Sequence, residues 1–268
     1  MKNLSENIKK IRTITGLGIL NCKKALLKNK GDIQKSINYL RKKGKSKVRN
    51  KFIKKTTQGS IFICHTKCLG VILEINCETD FVSRDTFFKS EGNKIINLCF
   101  KKKFVNLKSV QDYFEDTRIK LISILGENIN FSNYFMLKGN FIHSYVHGSR
   151  IGVLLKSNSK SLKYVKKIAM HIAASNPLYL SPEKIPKNIL DKEKKIQLEI
   201  ANKLNKHKSK QILSRMVEGR MKKFIYEICL NKQNFIMDTK KTVEKYLKEK
   251  NFFIKKFIRL EVGQKILI

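Results

Sequence analysis

The chain contains 268 residues, of which 41% are hydrophobic, and carries a formal net charge of +37 from 58 basic and 21 acidic side chains. A chain of this length and composition is expected to fold into two or three domains of ~100–150 residues. No apolar run approaches the ~18 residues that a transmembrane helix needs, which excludes such a helix.

The positive charge allows two interpretations. Cationic surfaces bind nucleic acids, because contacts with phosphates release counterions. Alternatively, the charge reflects a composition rich in Lys, Asn, Ile and Phe, with no Trp and only three Pro. The basic residues are spread over the whole length and form no single patch with interleaved aromatics. This favours compositional bias, together with some non-specific affinity for RNA at low salt.

The cysteines and histidines favour neither disulfides nor a metal site. Six cysteines without a paired framework are typical of a reducing compartment. Cys64, His65 and Cys68, with Cys77 nearby, could suggest zinc, but a second pair of ligands is missing and core cysteines are favoured. No nucleophile, base or metal cluster is visible, so we predict no cofactor, no metal and no enzymatic activity.

The N-terminal residues are polar, and an apolar periodicity begins as early as Leu4 and Ile8. This pattern leaves no room for a signal or transit peptide. We therefore expect a cytoplasmic protein.

Residues 4–43 are predicted to form three short helices. Asn21 is expected to cap the second helix and Asp32 the third. Ile19 and Leu20 follow the first turn, where they are either core residues or an exposed docking site, with neither favoured. The apolar face of the first helix is expected to contain Ile8, Ile11 and Ile14.

From residue 59 the pattern changes to the period of strands. A hairpin is predicted from residues 59–64 and 69–77, followed by two helices and a strand. The helices are expected at residues 86–99 and 110–125, with Gly126 ending the second, and the strand at 129–137.

The same order recurs further along the chain. A second hairpin is predicted from residues 141–146 and 151–155, joined by the turn at 147–150 and followed by a helix over 162–172. The repeated strand–strand–helix order predicts an α+β fold with two related subdomains.

A helical hairpin is predicted in the last third of the chain. Ser181, Pro182 and Glu183 form a helix-start signal. Two amphipathic helices then follow at residues 189–204 and 212–224, and can project as an antiparallel pair. A short helix at 242–248 and a closing strand at 254–262 complete the prediction.

The most distinctive stretch is Thr79-Asp80-Phe81-Val82, which directly follows the predicted strand 69–77. A carboxylate can compete for a cation or its donors, and a phenyl ring can insert into an apolar cleft, where full burial is worth roughly 1.5–3 kcal/mol. Taken alone, the tetrapeptide favours a strand end with a core Phe. Its surroundings favour a functional segment.

Several segments, in the same order, resemble the translation elongation factor Ts family. The resemblance covers essentially the whole chain. Its segments are TGLGILNCKKALLKNKGDIQKSINYLRKKG (residues 15–44), ILEINCETDFV (72–82), GENIN (126–130), HGSRIGVL (147–154), HIAASNP (171–177), MVEGRMKKF (216–224) and FIRLEVGQ (257–264).

The resemblance implies a division of the chain. The expected units are a module at 1–44 similar to a ubiquitin-associated domain, a basic linker at 45–58, two core subdomains at 59–139 and 140–262, and a vestigial tail at 263–268. The helical hairpin is placed at about 182–226 within the second subdomain. Because the chain stops at Ile268, the helical C-terminal module of many members is expected to be absent or vestigial, together with the partner contacts usually made there.

The resemblance also implies a function. Members are guanine-nucleotide exchange factors that bind elongation factor Tu with GDP, displace its Mg²⁺ and promote GDP release so that GTP can bind. The central residues here are expected to be Asp80 and Phe81, framed by Thr79 and Val82. The expected partner contacts are Gly18, Ile19, Leu20, Lys23, Leu125, Gly126, His147, Ile236 and Met237. Ile19 and Leu20 stand where the family has paired Met.

The alternative function is a basic RNA- or ribosome-binding protein without exchange activity. It predicts tight, steeply salt-dependent RNA binding that survives the change Phe81→Ala.

Overall fold

The computed structural model describes residues 2–15, 17–40, 54–204 and 209–264. Most of the predicted linker, and the predicted turn of the helical hairpin, lie outside these residues. Within them, three N-terminal helices precede a mixture of helices and small antiparallel sheets. The predicted α+β fold class is therefore confirmed.

The N-terminal module consists of α1 (Lys2–Thr15), α2 (Ile19–Lys28) and α3 (residues 33–40). Asp32 caps α3 as predicted, since its Oδ1 accepts a 2.8 Å hydrogen bond from the Lys35 backbone N–H. The buried apolar side chains that hold the three helices together are Ile11, Cys22, Ala25, Leu26, Ile37 and Leu40.

Two expectations for this module are wrong. Helix α2 begins at Ile19 with Gly18 as N-cap, so Asn21 lies inside the helix and does not cap it. Ile14 is 56% exposed and does not join the buried face. Each three-residue step turns about 60° short of a full helical turn, so a run at i, i+3 and i+6 drifts off one face.

Sheet A has the antiparallel order β1-β2-β3. Helices α4, α5 and α6 connect β2 to β3. The bounds are β1 Gln58–His65, β2 Leu69–Cys77, α4 Asp80–Arg84, α5 Thr86–Lys102, α6 Leu107–Leu125 and β3 Asn130–Lys138. The predicted hairpin, helices and third strand are confirmed, with ends shifted by a few residues.

Sheet B repeats this topology with the antiparallel order β4-β5-β8. In both sheets the third strand pairs with the second strand of the hairpin, after intervening helices. The bounds are β4 Phe141–His147, β5 Ile151–Ser157, α7 Leu162–Ser175, β6 Asn234–Phe235, β7 Asp238–Thr242, α10 Val243–Glu249 and β8 Ile254–Glu261. The division into domains remains a prediction.

The two sheets pack face to face. Ile61 and Ile72 of sheet A share a core with Leu154 of sheet B. A Cβ on Gly152 would lie 2.4 Å from the Ile61 side chain, so the glycine permits this close approach. Since α5 and α6 cover the outer face of sheet A, every residue of β2 is buried. Helix α7 covers the outer face of sheet B, and α10 contributes Val243, Tyr246 and Leu247 to the same core.

The sandwich has two opposite ends. At one end, which we call the Phe81 end, lie residues 77–84, 126–130, 147–150 and 261–263. At the other, the Lys67 end, lie residues 65–69, 138–143, 156–163 and 250–256. Strand β2 connects the ends with 9 residues, which span about 30 Å.

A buried carboxylate links sheet A to the end of sheet B. Glu74 is 1% exposed. Its Oε1 accepts hydrogen bonds from Asn76 Nδ2 at 2.7 Å and from the Gly263 backbone N–H, just after β8, at 2.8 Å. Its Oε2 accepts one from Asn133 Nδ2 of β3 at 2.6 Å. One side chain thus joins β2, β3 and the end of β8.

The helical hairpin consists of α8 (Lys187–Leu204) and α9 (Lys210–Ile228), which contact each other. The helix start predicted at Ser181 is confirmed for a short 3₁₀ helix, Pro182–Lys184, in which Ser181 is the N-cap and Pro182 lies in the first turn. The long helix α8 begins separately at Lys187, two residues before the predicted start at 189.

The cysteines are only partly core residues. Cys77 is buried and Cys64 half-buried, but Cys68 is exposed in the β1–β2 turn, contrary to the core prediction. Among the described residues, no three His, Cys, Asp or Glu side chains form a group that could hold a metal ion. None of the helices described is long and apolar enough to cross a membrane.

Candidate functional site

The Thr79–Val82 segment forms an exposed corner at the end of β2. Thr79 is the N-cap of the one-turn helix α4, and its Oγ1 accepts from the Val82 N–H at 3.5 Å. Phe81 is 83% exposed, while Val82 packs on the core of sheet A. The interpretation of Phe81 as a core residue is therefore wrong, and its ring is available to another molecule.

Glu127 holds this corner from the α6–β3 connection. Its Oε2 accepts the backbone N–H groups of Glu78 at 3.1 Å and Thr79 at 3.0 Å. Its Oε1 accepts the Thr79 hydroxyl at 2.5 Å. Glu78 reciprocates, since its Oε1 accepts the Asn128 N–H at 2.8 Å. The two connections are thus linked in both directions by charge-assisted hydrogen bonds, which are stronger than neutral ones.

Contacts from strands β1 and β2 also hold the corner in place. The buried Cys77 thiol donates to the Thr79 carbonyl at 3.1 Å. Burial, with the nearby negative charge of Glu127, raises the pKa of Cys77 to about 12 and keeps it a protonated donor. The Ser60 hydroxyl of β1 donates to the Ser83 carbonyl at 3.3 Å. Phe81 therefore projects from a backbone held on several sides.

The Asp80 carboxylate is paired within the same helix. Its Oδ2 lies 3.0 Å from Arg84 Nη2, and the Asp80 side chain is 46% exposed. An exposed pair of this kind at i,i+4 contributes about 0.3–0.5 kcal/mol. The carboxylate can therefore exchange Arg84 for an external donor at small cost.

Gly126 and Leu125 lie beside this corner. Gly126 ends α6 in the left-handed region with φ of 80°, and its N–H bonds to the Ile122 carbonyl. Leu125 packs on the core of sheet A. The turn at Gly126 brings Glu127 directly back toward Thr79, so these two predicted contact residues are adjacent to the Thr79–Val82 segment.

His147 lies at the same end of the sandwich, on the other sheet. It is exposed at the β4–β5 turn, where its Nδ1 is 3.1 Å from the Tyr145 hydroxyl. The Ser149 carbonyl in that turn accepts the Ile61 N–H of β1 at 2.8 Å. Strand β1 thus contacts both the turn that carries His147 and the corner that carries Phe81.

Ile236 and Met237 form the tip of the β6–β7 hairpin and are 40% and 43% exposed. The buried His171, near the C-terminus of α7, supports this tip because its Nδ1 accepts the Ile236 N–H at 3.3 Å. Its Nε2 is 2.9 Å from Gln233 Oε1, which assigns the ring proton to Nε2. Helix α7 returns along sheet B after β5, and Arg259 near the end of β8 donates to the Ala173 carbonyl at 3.1 Å, so the part of α7 that supports this tip lies toward the Phe81 end.

The predicted N-terminal contacts lie on a separate surface. Ile19 and Leu20, in the first turn of α2, are 52% and 73% exposed. They are therefore surface residues and not core residues, which were the two alternatives left open by the sequence. Ile19 and Lys23 border a shallow groove between α1 and α2, of about 330 Å³. Gly18, the N-cap, is exposed beside them.

Sequence reasoning missed Glu127, although it lies within the GENIN segment. The sequence nevertheless contains a signal for the role of Glu127. An acidic residue just beyond a helix C-terminus opposes the helix dipole, so its position there indicates another partner. That partner lies 48 residues earlier in the chain.

We predict that Glu127→Ala lowers the free energy of unfolding by about 2–3 kcal/mol, since three hydrogen bonds to a carboxylate are lost. It should also increase the hydrogen-exchange rates of the Glu78 and Thr79 amides, measured by mass spectrometry. Glu127→Gln keeps one acceptor for both amides and is expected to retain most of the protection. Equal protection in both variants would contradict the proposed role of Glu127.

We also predict a pH dependence from His171. Burial lowers its pKa below the ordinary value, partly offset by the bond to Gln233. The folded state therefore binds fewer protons than the unfolded state below about pH 6.5, so this stabilisation is complete above that pH and decreases as the pH falls. An NMR titration of the His171 ring should give a midpoint below 6.5; a midpoint at or above 6.5 would exclude this effect.

Comparisons with known proteins agree with the sequence resemblance. The family model Elongation factor TS matches residues 78–264. Elongation factor Ts of Buchnera aphidicola subsp. Acyrthosiphon pisum (strain 5A) is 44% identical over 257 residues, covering 96% of this chain and 95% of the relative. That of Baumannia cicadellinicola is 44% identical over 261 residues, covering 96% and 92%. That of Yersinia pestis (strain Pestoides F) is 41% identical over 261 residues, covering 97% and 91%.

The α+β fold and these matches define a translation elongation factor that presents one aromatic side chain from a firmly held corner. The chain belongs to the elongation factor Ts family.

Proposed function

We propose that this protein is a guanine-nucleotide exchange factor for elongation factor Tu. It binds the GDP form of that GTPase, displaces its Mg²⁺ and accelerates GDP release, so that GTP can bind. It performs no covalent chemistry and acts in the cytoplasm, where translation takes place. The exposed, hydrogen-bonded corner at Thr79–Val82 carries this proposal.

The proposal assigns the main mechanical role to Phe81. Its ring is 83% exposed, so burial in a partner cleft would contribute about 1.5–3 kcal/mol. Mg²⁺ in GTPases needs near-octahedral oxygen ligands and bridges the nucleotide phosphates. A ring inserted beside that site displaces the metal ligands only if its own backbone does not yield, and the bonds from Glu127 supply that resistance.

Asp80 has a secondary role in this proposal. On binding, its carboxylate leaves Arg84 and accepts donors that otherwise hold the phosphates or the metal ligands. The exposed Asp80–Arg84 pair is weak, so the exchange of partners costs little.

The other predicted contact residues supply the remaining binding energy. Gly126 and His147 lie at the Phe81 end and the Ile236–Met237 tip lies toward it, and we assign all of them to the same binding surface as the corner. Ile19, Leu20 and Lys23 offer a second, apolar and basic surface on the N-terminal module. Each tenfold weakening of GDP binding needs about 1.4 kcal/mol of differential contact. Burial of one ring therefore accounts for a weakening of GDP binding by one or two factors of ten, and these contacts account for the rest.

Thermodynamic linkage gives a further requirement. If this protein weakens GDP binding to the GTPase by some factor, GDP weakens the binding of this protein by the same factor.

The proposed domain division assigns the two surfaces to different units. Residues 1–44 carry the N-terminal contacts, and residues 59–139 and 140–262 carry the binding end.

Release of fluorescent GDP from elongation factor Tu at physiological salt tests the proposal. We expect release to accelerate on addition of this protein, with an effect that is reduced by excess free Mg²⁺. An unchanged release rate, measured with protein that is folded by circular dichroism, would refute exchange activity and favour the alternative of RNA binding alone.

A further inference from the structure

We propose that the Lys67 end of the sandwich is a binding site for single-stranded RNA, separate from the proposed GTPase-binding end. The site consists of four segments: residues 65–69, 138–143, 156–163 and 250–256. It combines lysines and aromatic rings that lie far apart in the sequence.

Backbone contacts join the four segments into one surface. The Ile142 N–H donates to the Lys67 carbonyl at 2.9 Å, which ties the β1–β2 turn to the start of β4. The Phe253 N–H donates to Asn158 Oδ1 at 2.8 Å, which ties the end of β5 to the start of β8. Phe141 pairs with Ser157 across β4 and β5, which connects the two pairs of segments.

Aromatic rings lie among the lysines of this surface. Lys67 Nζ and Lys160 Nζ lie 5.0 and 6.0 Å from the centre of the half-buried Phe141 ring. Lys255 Nζ lies 5.6 Å from the ring of Phe253, which is 51% exposed. Each ammonium is thus held by a cation–π contact with a ring, and the exposed part of the Phe253 ring is where a base can stack while its phosphate contacts a lysine.

The charged side chains of these four segments are all positive, and the adjacent Glu249, which also interacts with Lys250, is paired with Lys241 at 2.8 Å. The four segments contain eight lysines and no Asp or Glu: Lys67, Lys138, Lys156, Lys160, Lys163, Lys250, Lys255 and Lys256. Within the part of the chain that the structure describes, every ion pair found uses other basic residues than these eight. All except the half-buried Lys156 are exposed. Their charge is therefore available to an anionic ligand.

The ring geometry favours single strands. A duplex hides its base faces, whereas unpaired bases stack on exposed aromatic side chains and add about 1–3 kcal/mol each. Phe253 is exposed enough to stack in this way. Because the site lies about 30 Å from the Phe81 end, measured along the 9 residues of β2, RNA and a GTPase can bind at the same time.

Fluorescence anisotropy of a labelled 12-nucleotide oligouridylate, titrated with the full chain between 50 and 300 mM salt, tests this site. We expect the triple variant Lys67→Glu, Lys160→Glu, Lys255→Glu to weaken binding by tenfold or more. The slope of log affinity against log salt should fall by about 2, since each lost phosphate contact removes about 0.7. Phe253→Ala should weaken binding about fivefold or more without changing that slope.

A charge-matched variant distinguishes binding at a local site from a general effect of the net charge. Lys192→Glu, Lys194→Glu, Lys195→Glu alters three exposed lysines of α8 and lowers the net charge equally. We expect it to change the affinity by less than threefold. Equal weakening by both triple variants, or full binding by Phe253→Ala, would overturn the proposal. So would tighter binding of duplex than of single-stranded RNA. The assay contains no GTPase, so its outcome is independent of exchange activity.

Discussion

Phe81→Ala is expected to slow the stimulated release of GDP from elongation factor Tu at least tenfold. The change removes the ring that the proposed mechanism inserts beside the Mg²⁺ site, and the loss of about 1.5–3 kcal/mol of burial corresponds to one or two decades in rate. Stopped-flow fluorescence of labelled GDP at saturating protein measures the effect.

The stability of this variant should not change, because the Phe81 ring is 83% exposed and supports no core. Val105 provides a matched control, since it is equally exposed at 83% but lies in the α5–α6 connection. We expect GDP release from elongation factor Tu in the presence of Val105→Ala to be as fast as with the unmodified protein. A normal rate for Phe81→Ala would remove Phe81 from the mechanism, and a loss in both variants would indicate a general effect of surface truncation.

Glu74→Ala is expected to be strongly destabilising for a polar substitution, lowering the free energy of unfolding by about 3 kcal/mol. The carboxylate accepts hydrogen bonds from the buried Asn76, the half-buried Asn133 and the exposed backbone of Gly263. A buried donor left without a partner costs about 1–3 kcal/mol, and the two more exposed donors add smaller losses. At about 2–4 °C per kcal/mol for a protein of this size, the melting temperature should fall by about 6–12 °C.

Glu74→Gln is the conservative control, because it retains one acceptor oxygen in the same volume. We expect it to cost about 1 kcal/mol, mainly from the amide facing Asn133 Nδ2. Differential scanning calorimetry of both variants measures the difference. If alanine and glutamine destabilise equally, or if neither lowers the melting temperature, Glu74 does not link the two sheets in the way inferred here.

Much of the element order could be predicted, because it depends on short-range patterns. Short apolar runs located β1 and β2, and Gly126 located the end of α6. Helix starts were less secure: Asn21 was predicted to cap α2 because its side chain can accept a backbone hydrogen bond, but the N-cap is Gly18, which makes no side-chain cap bond.

The candidate site was predicted only in part. The sequence, with its family resemblance, identified Thr79–Val82, but the local pattern favoured a buried Phe81. Exposure depends on what packs around the corner, and the residue that holds it, Glu127, comes from a distant connection. The gathering of Lys67, Lys160 and Lys255 at one end was likewise hidden by their separation along the chain.

The sequence by itself determined the helices, the strands, their order and the α+β class, since periodicity and capping act over a few residues. Only the tertiary structure decided that Phe81 is exposed, that Glu74 and Glu127 join distant connections, and that the lysines of the Lys67 end form one surface. The reason is physical: burial and hydrogen bonding between distant residues depend on how the two sheets pack, and no local pattern encodes that packing.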